Sequence, residues 1–172
     1  MQTIFHLNII LVDYLLYYFI MEDYAKYTTN EMIELTSHKY KYTLFRKLWV
    51  IMAEIQQQLG FDKITNEVID DMKKHVNVTD QDLIDAKKQE EIFKHDVMAH
   101  IAVYKSLLTP EGGKIIHLCC TSCYVTCNAD MLIFIDALNN IQNKLTFLLQ
   151  LIDKVAQKEK NTICVGFTHY QP

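Results

Sequence analysis

A chain of 172 residues, half of them hydrophobic, is long enough for one ordinary domain with a real core. Its formal net charge is only -4, with no block of basic residues, so it lacks the electrostatic footprint that binding nucleic acid or an anionic membrane would need. Of its 17 basic residues only Arg46 is an arginine, and lysine does not offer the planar two-point grip that arginine gives a phosphate or carboxylate.

In chain order, residues 4–20 come first. They are strongly apolar (Ile9, Ile10, Leu11, Val12, Leu15, Leu16, Phe19) but include His6, Asn8 and Asp13, and at about 17 residues they fall short of the roughly 20 that span a bilayer. No basic region or small-residue cleavage site marks a secretory signal. Residues 1–21 are therefore expected to be an apolar extension that packs or aggregates. A peripheral membrane or partner-binding helix and an unusual targeting segment are the alternatives.

After Met21 the pattern is helix upon helix. Leu44, Leu48, Met52, Ile55 and Leu59 recur every three or four residues, predicting a helix over 44–60 with these side chains on one face and Gly60 as its stop. A shorter helix is expected over 65–76, with Ile69 and Met72 on one side. Thr79-Asp80-Gln81-Asp82 reads as an N-terminal cap before a helix carrying Leu83 and Ala86 and running toward Ile92. Val97, Ile101, Tyr104 and Leu108 predict another, broken by Thr109-Pro110-Glu111-Gly112-Gly113. Residues 114–165 hold no Gly or Pro, and Leu132, Ile135, Leu138, Ile141, Leu145, Leu148, Ile152 and Val155 form a seam at helical spacing. That predicts a rod whose wide apolar face needs more covering than the shorter helices supply. Residues 162–167 read as an extended piece delivering His169 to a loop. The fold class expected is all-α.

Chemistry-bearing residues fall in three strings: Lys94-His95-Asp96-Val97-Met98-Ala99-His100, Ile116-His117-Leu118-Cys119-Cys120-Thr121-Ser122-Cys123-Tyr124-Val125, and Thr168-His169-Tyr170-Gln171-Pro172. Taken alone each is ambiguous. His95 and His100 lie five residues apart, roughly 140° around a helix, so they do not form the i, i+4 pair of a helical zinc site. His100 and His117 read as packed residues, and His169 as a turn histidine or a proton carrier. Asp96 can hold a neighbouring imidazole or a ribose hydroxyl. Thr121-Ser122, opening a long helix, suits simple N-capping or an anion held by free N–H groups. Cys119, Cys120, Cys123 and Cys127 lie within nine residues, and such a cluster can hold metal or exchange thiols. A second ligand pair is missing, since the remaining Cys164 is far off in sequence. Five cysteines without a signal peptide suit a reducing compartment.

In this order and spacing the three strings, with Tyr27-Thr28-Thr29-Asn30-Glu31-Met32 and the Leu48-Trp49 pair, resemble the N-terminal part of the adenylosuccinate lyase family of the fumarase/aspartase superfamily. The resemblance runs from about Tyr24 to Pro172. It implies that residues 22–120 are the N-terminal helical lyase domain and that 121–172 start the central helical bundle, which four subunits share. The implied reaction is β-elimination of fumarate from adenylosuccinate, giving AMP, and from the succinyl-carboxamide ribotide of purine nucleotide biosynthesis, in the cytoplasm and without metal or organic cofactor. A base takes a proton from the carbon beside a carboxylate while an acid protonates the departing nitrogen, work suited to an imidazole near neutral pH. By resemblance His169 is that general acid, and Lys26, Tyr27, Lys94, His95, Asp96, Thr121, Ser122 and Thr168 bind substrate, Lys26-Tyr27 at the phosphoryl end. The implied partners are a small-molecule nucleotide and further lyase subunits, as a homotetramer or with full-length chains, with no nucleic acid.

Departures from the family pattern qualify the expected activity. Lys26 and Lys94 stand where the family has arginine, which keeps charge and loses geometry. Cys119-Cys120 replace Gly-Ala, and Thr126-Cys127-Asn128-Ala129 replace Gly-Asp-Asn-Thr; a glycine lost where the backbone needs an unusual angle is the more serious change. The family's catalytic base is a serine on a mobile loop far downstream, so the chain is expected to be a fragment holding the acid side of the site, weakly active or inactive alone. The alternatives are a non-catalytic remnant that associates with full-length subunits, and a cysteine-cluster metal or redox protein.

Overall fold

The computed structural model describes residues 26–171; the expectations for residues 1–21 fall outside them. Seven helices occur among the described residues: α1 (Asn30–Leu35), α2 (His38–Gln58), α3 (Asn66–Lys74), α4 (Asp80–Phe93), α5 (Asp96–Leu107), α6 (Pro110–Ile115) and α7 (Ser122–Glu159). No strand occurs among these residues, and the all-α expectation holds. None of the described helices is long and apolar enough to cross a membrane. The chain divides into two compact units between Phe134 and Ile135.

In the first unit α2 begins at His38, ahead of the expected start, because Ser37 caps it: its Oγ accepts the Tyr40 N–H at 3.1 Å. Gly60, at φ 91°, supplies the expected stop. The buried face differs from the aliphatic row foreseen. Leu44, Phe45, Leu48, Trp49, Ala53 and Gln56 point inward, while Ile55 and Leu59 are exposed. The aromatic rings set this orientation, since they remove the most surface from water. Phe45 meets Trp49 edge-on with centroids 6.1 Å apart, and Trp49 stacks on Tyr104 of α5 at 5.9 Å. The Tyr104 hydroxyl donates to the Met72 carbonyl at 2.7 Å, satisfying its polar end inside the core.

Three polar devices hold the shorter helices. At α4 the capping box foreseen from the sequence is complete, with Thr79 N–H donating to Asp82 Oδ2 at 2.8 Å and Asp82 N–H to Thr79 Oγ1 at 3.2 Å. Arg46, the only arginine, is 2% exposed; its Nη1 donates to the His75 carbonyl at 2.8 Å and pairs with Asp82 Oδ2 at 3.2 Å. Its guanidinium also lies over the Tyr104 ring, 4.9 Å from the centroid. The Thr109-Pro110 string ends α5 as expected, yet it also opens α6: Pro110 sits in the first turn, Thr109 Oγ1 accepts from Gly112 N–H at 3.3 Å, and Thr109 N–H donates to Asp71 Oδ2 at 2.8 Å.

The first turns of α7 belong to the first unit. Val125 and Ala129 are its buried residues, and the Tyr124 hydroxyl donates to the Leu48 carbonyl at 3.1 Å. In the second unit the rod foreseen from the seam is present, and Ile135, Leu138, Ile141, Leu145, Leu148, Ile152 and Val155 are all exposed. Residues 162–167 have no regular structure, and an isolated bridge pairs Thr168 with Gln171.

Candidate functional site

The first unit brings the second half of one string against the start of another. Lys94 closes α4 in the left-handed conformation at φ 53°, which turns the chain sharply. His95 follows as the extended residue before α5, and Asp96 is the first residue of α5. The turn puts the imidazole between two partners: His95 Nδ1 lies 3.3 Å from Asp96 Oδ1, and Nε2 lies 3.3 Å from Ser122 Oγ at the start of α7. The Asp96 approach is an ion-pair separation, while the Ser122 approach is within hydrogen-bond reach, its direction set by the tautomer of the ring. The 3.3 Å gap to Ser122 is at the loose end of hydrogen bonding. Thr121 and Ser122 stand where the first-turn N–H groups of α7 lack partners within the helix, a setting that favours an anion.

His117 completes this neighbourhood in a way that its packed reading missed. The Trp49 Nε1–H donates to His117 Nδ1 at 3.0 Å, and the indole N–H can only donate. The Nδ1 atom must therefore stay unprotonated, and neutral His117 carries its proton on Nε2. Burial, and then the charge of His95, hold the His117 pKa below its ordinary value. No local signal marks this pairing in the sequence, because Trp49 lies 68 residues before His117. Backbone φ is positive at both His117 (63°) and Cys119 (58°), so the glycine-like angle expected at the Cys119-Cys120 departure is there. Gln56 Nε2 braces the turn by donating to the Leu118 carbonyl at 2.9 Å.

The other candidates lie elsewhere in the chain. Lys26 and Tyr27 are in the turn leading into α1, with Tyr27 89% exposed. His100 is buried, as its packed reading required, with its ring stacked on Tyr42 at 3.4 Å. In the second unit Thr168 and Gln171 exchange backbone hydrogen bonds at 2.9 and 3.0 Å, and His169 and Tyr170 form the tip between them at φ 49° and 64°. Two successive left-handed residues make a tight turn of the kind that closes hairpins, and it presents the His169 imidazole to solvent. Among the described residues no three His, Cys, Asp or Glu side chains come together as a group able to hold a metal ion.

No family model matches the chain. It is 38% identical over 160 residues to adenylosuccinate lyase of Saccharomyces cerevisiae, covering 88% of this chain and 33% of that protein. It is 39% identical over 150 residues to adenylosuccinate lyase of Schistosoma mansoni (86% and 30%), and 30% identical over 146 residues to that of Methanocaldococcus jannaschii (85% and 31%). The chain thus spans about a third of the length of the curated relatives it matches. Over 85 to 88% of its own residues it is a homologue of the adenylosuccinate lyases.

Proposed function

We propose that the chain carries part of the machinery of an adenylosuccinate lyase, which eliminates fumarate from adenylosuccinate to leave AMP and does the same to the succinyl-carboxamide ribotide. The observation that carries this reading is the Asp96–His95–Ser122 series, two contacts of 3.3 Å, in a chain similar to relatives of that name. In this reading residues 22–120 are the N-terminal lyase domain and 121–172 the start of the central bundle. Asp96 orients His95, and His95, Lys94, Thr121 and Ser122 hold the nucleotide substrate. Lys26 and Tyr27 take its phosphoryl end. His169, with Thr168 beside it, protonates the nitrogen as the carbon–nitrogen bond breaks, an acid role that an exposed imidazole on a tight turn can fill. The chain acts in a cytoplasmic assembly with other lyase subunits, which supply the remaining groups.

Mixing tests this directly. The 172-residue chain alone is expected to release fumarate far more slowly than a full-length lyase, because groups that act as a unit fail together. Combined with a full-length lyase whose general-acid histidine has been replaced, it should restore fumarate release, followed by absorbance, and His169→Gln should abolish the rescue. Mixed oligomers that form without any rescue would reject the catalytic reading and leave association as the role of the long helix.

A further inference from the structure

The first turns of α7 carry two different rows. Val125 and Ala129 face the core, while Cys123 and Cys127 are free, exposed thiols and Met131, four residues further on, is 59% exposed. A spacing of four stacks these sulfur side chains on one stripe, with neighbouring Cβ atoms about 5–6 Å apart. That separation is too wide for a direct disulfide, whose Cβ atoms sit roughly 3.5–4.5 Å apart. It suits one ion bonded to both sulfurs at about 2.3 Å each. Helical side chains lean toward the N-terminus, so the Met131 thioether leans toward Cys127. The contact described for either thiol is a distant one, from the Thr126 hydroxyl to Cys127 Sγ at 4.0 Å. Cys120 is differently placed, before the helix, with its thiol directed to the Leu118 carbonyl at 3.5 Å.

Donor type and number then select the ion. Zinc in a structural site takes four nitrogen or sulfur ligands, and no third His, Cys, Asp or Glu joins this pair among the described residues. A d10 monovalent ion is satisfied by two or three soft donors, and thiolate with thioether is the set that favours it. We propose that Cys123 and Cys127, with Met131 alongside, form a binding site for a soft monovalent cation of the Cu(I) class. Binding breaks two S–H bonds and forms two sulfur–metal bonds. Both protons go to solvent, the product is an anionic bis-thiolate complex, and no electron is transferred. The site stands apart from the lyase reading, since neither thiol belongs to the residues assigned to the substrate.

The test is an anaerobic titration of the full chain with Cu(I) against a coloured Cu(I) chelator. The chain should withdraw one equivalent from the chelator, and Cys123→Ser or Cys127→Ser should each weaken it by roughly 100-fold. The double variant Cys119→Ser/Cys120→Ser should retain it. Because Cys123 and Cys127 are exposed, both serine variants should keep the helical circular dichroism of the parent, so a loss of binding cannot be assigned to unfolding. Copper left entirely with the chelator, withdrawal that survives Cys123→Ser and Cys127→Ser together, or equal loss in the Cys119/Cys120 double variant would each overturn the proposal.

Discussion

His100 should make the first unit lose stability in mild acid. Its ring is 6% exposed, stacked on Tyr42 and edge-on to Phe45 with centroids 6.4 Å apart. Burial first, then the Arg46 cation, lower its pKa from 6.5 to about 4; His38 adds to this, and Asp96 and Asp82 oppose it. Above pH 6.5 both folded and unfolded chains carry neutral His100 and stability is complete. As pH falls below 6.5 the unfolded chain takes a proton that the folded chain refuses, so stability declines until the folded imidazole titrates near 4. At about 1.4 kcal/mol per pH unit, this gap is worth about 3 kcal/mol. His100→Phe keeps the ring stacking and removes the titration. Urea unfolding can be followed by the fluorescence of Trp49, the single tryptophan and itself buried. Between neutrality and about pH 4 the parent should lose about 3 kcal/mol more than the variant; the difference cancels contributions from His38 and Asp71. Parallel decline of the two proteins would refute the argument.

Two further outcomes are expected. Arg46→Met removes the hydrogen bonds to the His75 and Asn77 carbonyls and the pairing with Asp82, leaving a buried carboxylate, and should cost roughly 3–5 kcal/mol by urea unfolding. Adding Asp82→Asn should recover part of that loss, and simple additivity of the two changes would show that the pair is not coupled. Leu138→Asp with Leu145→Asp should sharply lower the solution mass measured by sedimentation, because each apolar side chain buried on association gains about 1.5–3 kcal/mol and a charge there must be desolvated. A parent chain that sediments as a monomer and binds no hydrophobic dye would contradict this.

What could be read from the sequence was local chemistry. The Thr79-Asp82 cap, the Gly60 stop and the long seam beginning near Leu132 were legible because each depends on residues a few positions apart. The buried face of α2 was not, since Leu44, Leu48, Met52, Ile55 and Leu59 satisfy the helical period equally well, and distant partners such as Tyr104, His117 and Tyr124 decide which neighbouring stripe turns inward. His95 with Asp96 was legible as adjacent residues, whereas its approach to Ser122, 27 residues on, needs the left-handed turn at Lys94. His117 was read as packing because no local pattern reveals that Trp49, 68 residues earlier, gives it a hydrogen. Proline and glycine after Thr109 were read as an interruption, yet a proline at a first turn is as much a start as a stop.

The long helix α7 also sets up two regimes of amide exchange within one element. Up to Phe134 its backbone hydrogen bonds are backed by core side chains such as Val125 and Ala129, and those amides open only when the unit itself unfolds. From Ile135 onward the exposed apolar side chains lend no such support, and a helix in water without tertiary packing is only marginally favoured over coil. Amides there should exchange through fraying, orders of magnitude sooner, in a chain by itself. Covering that face would couple the two stretches into one cooperative block, so the exchange rate of the distal amides becomes a direct count of how much of the chain is assembled.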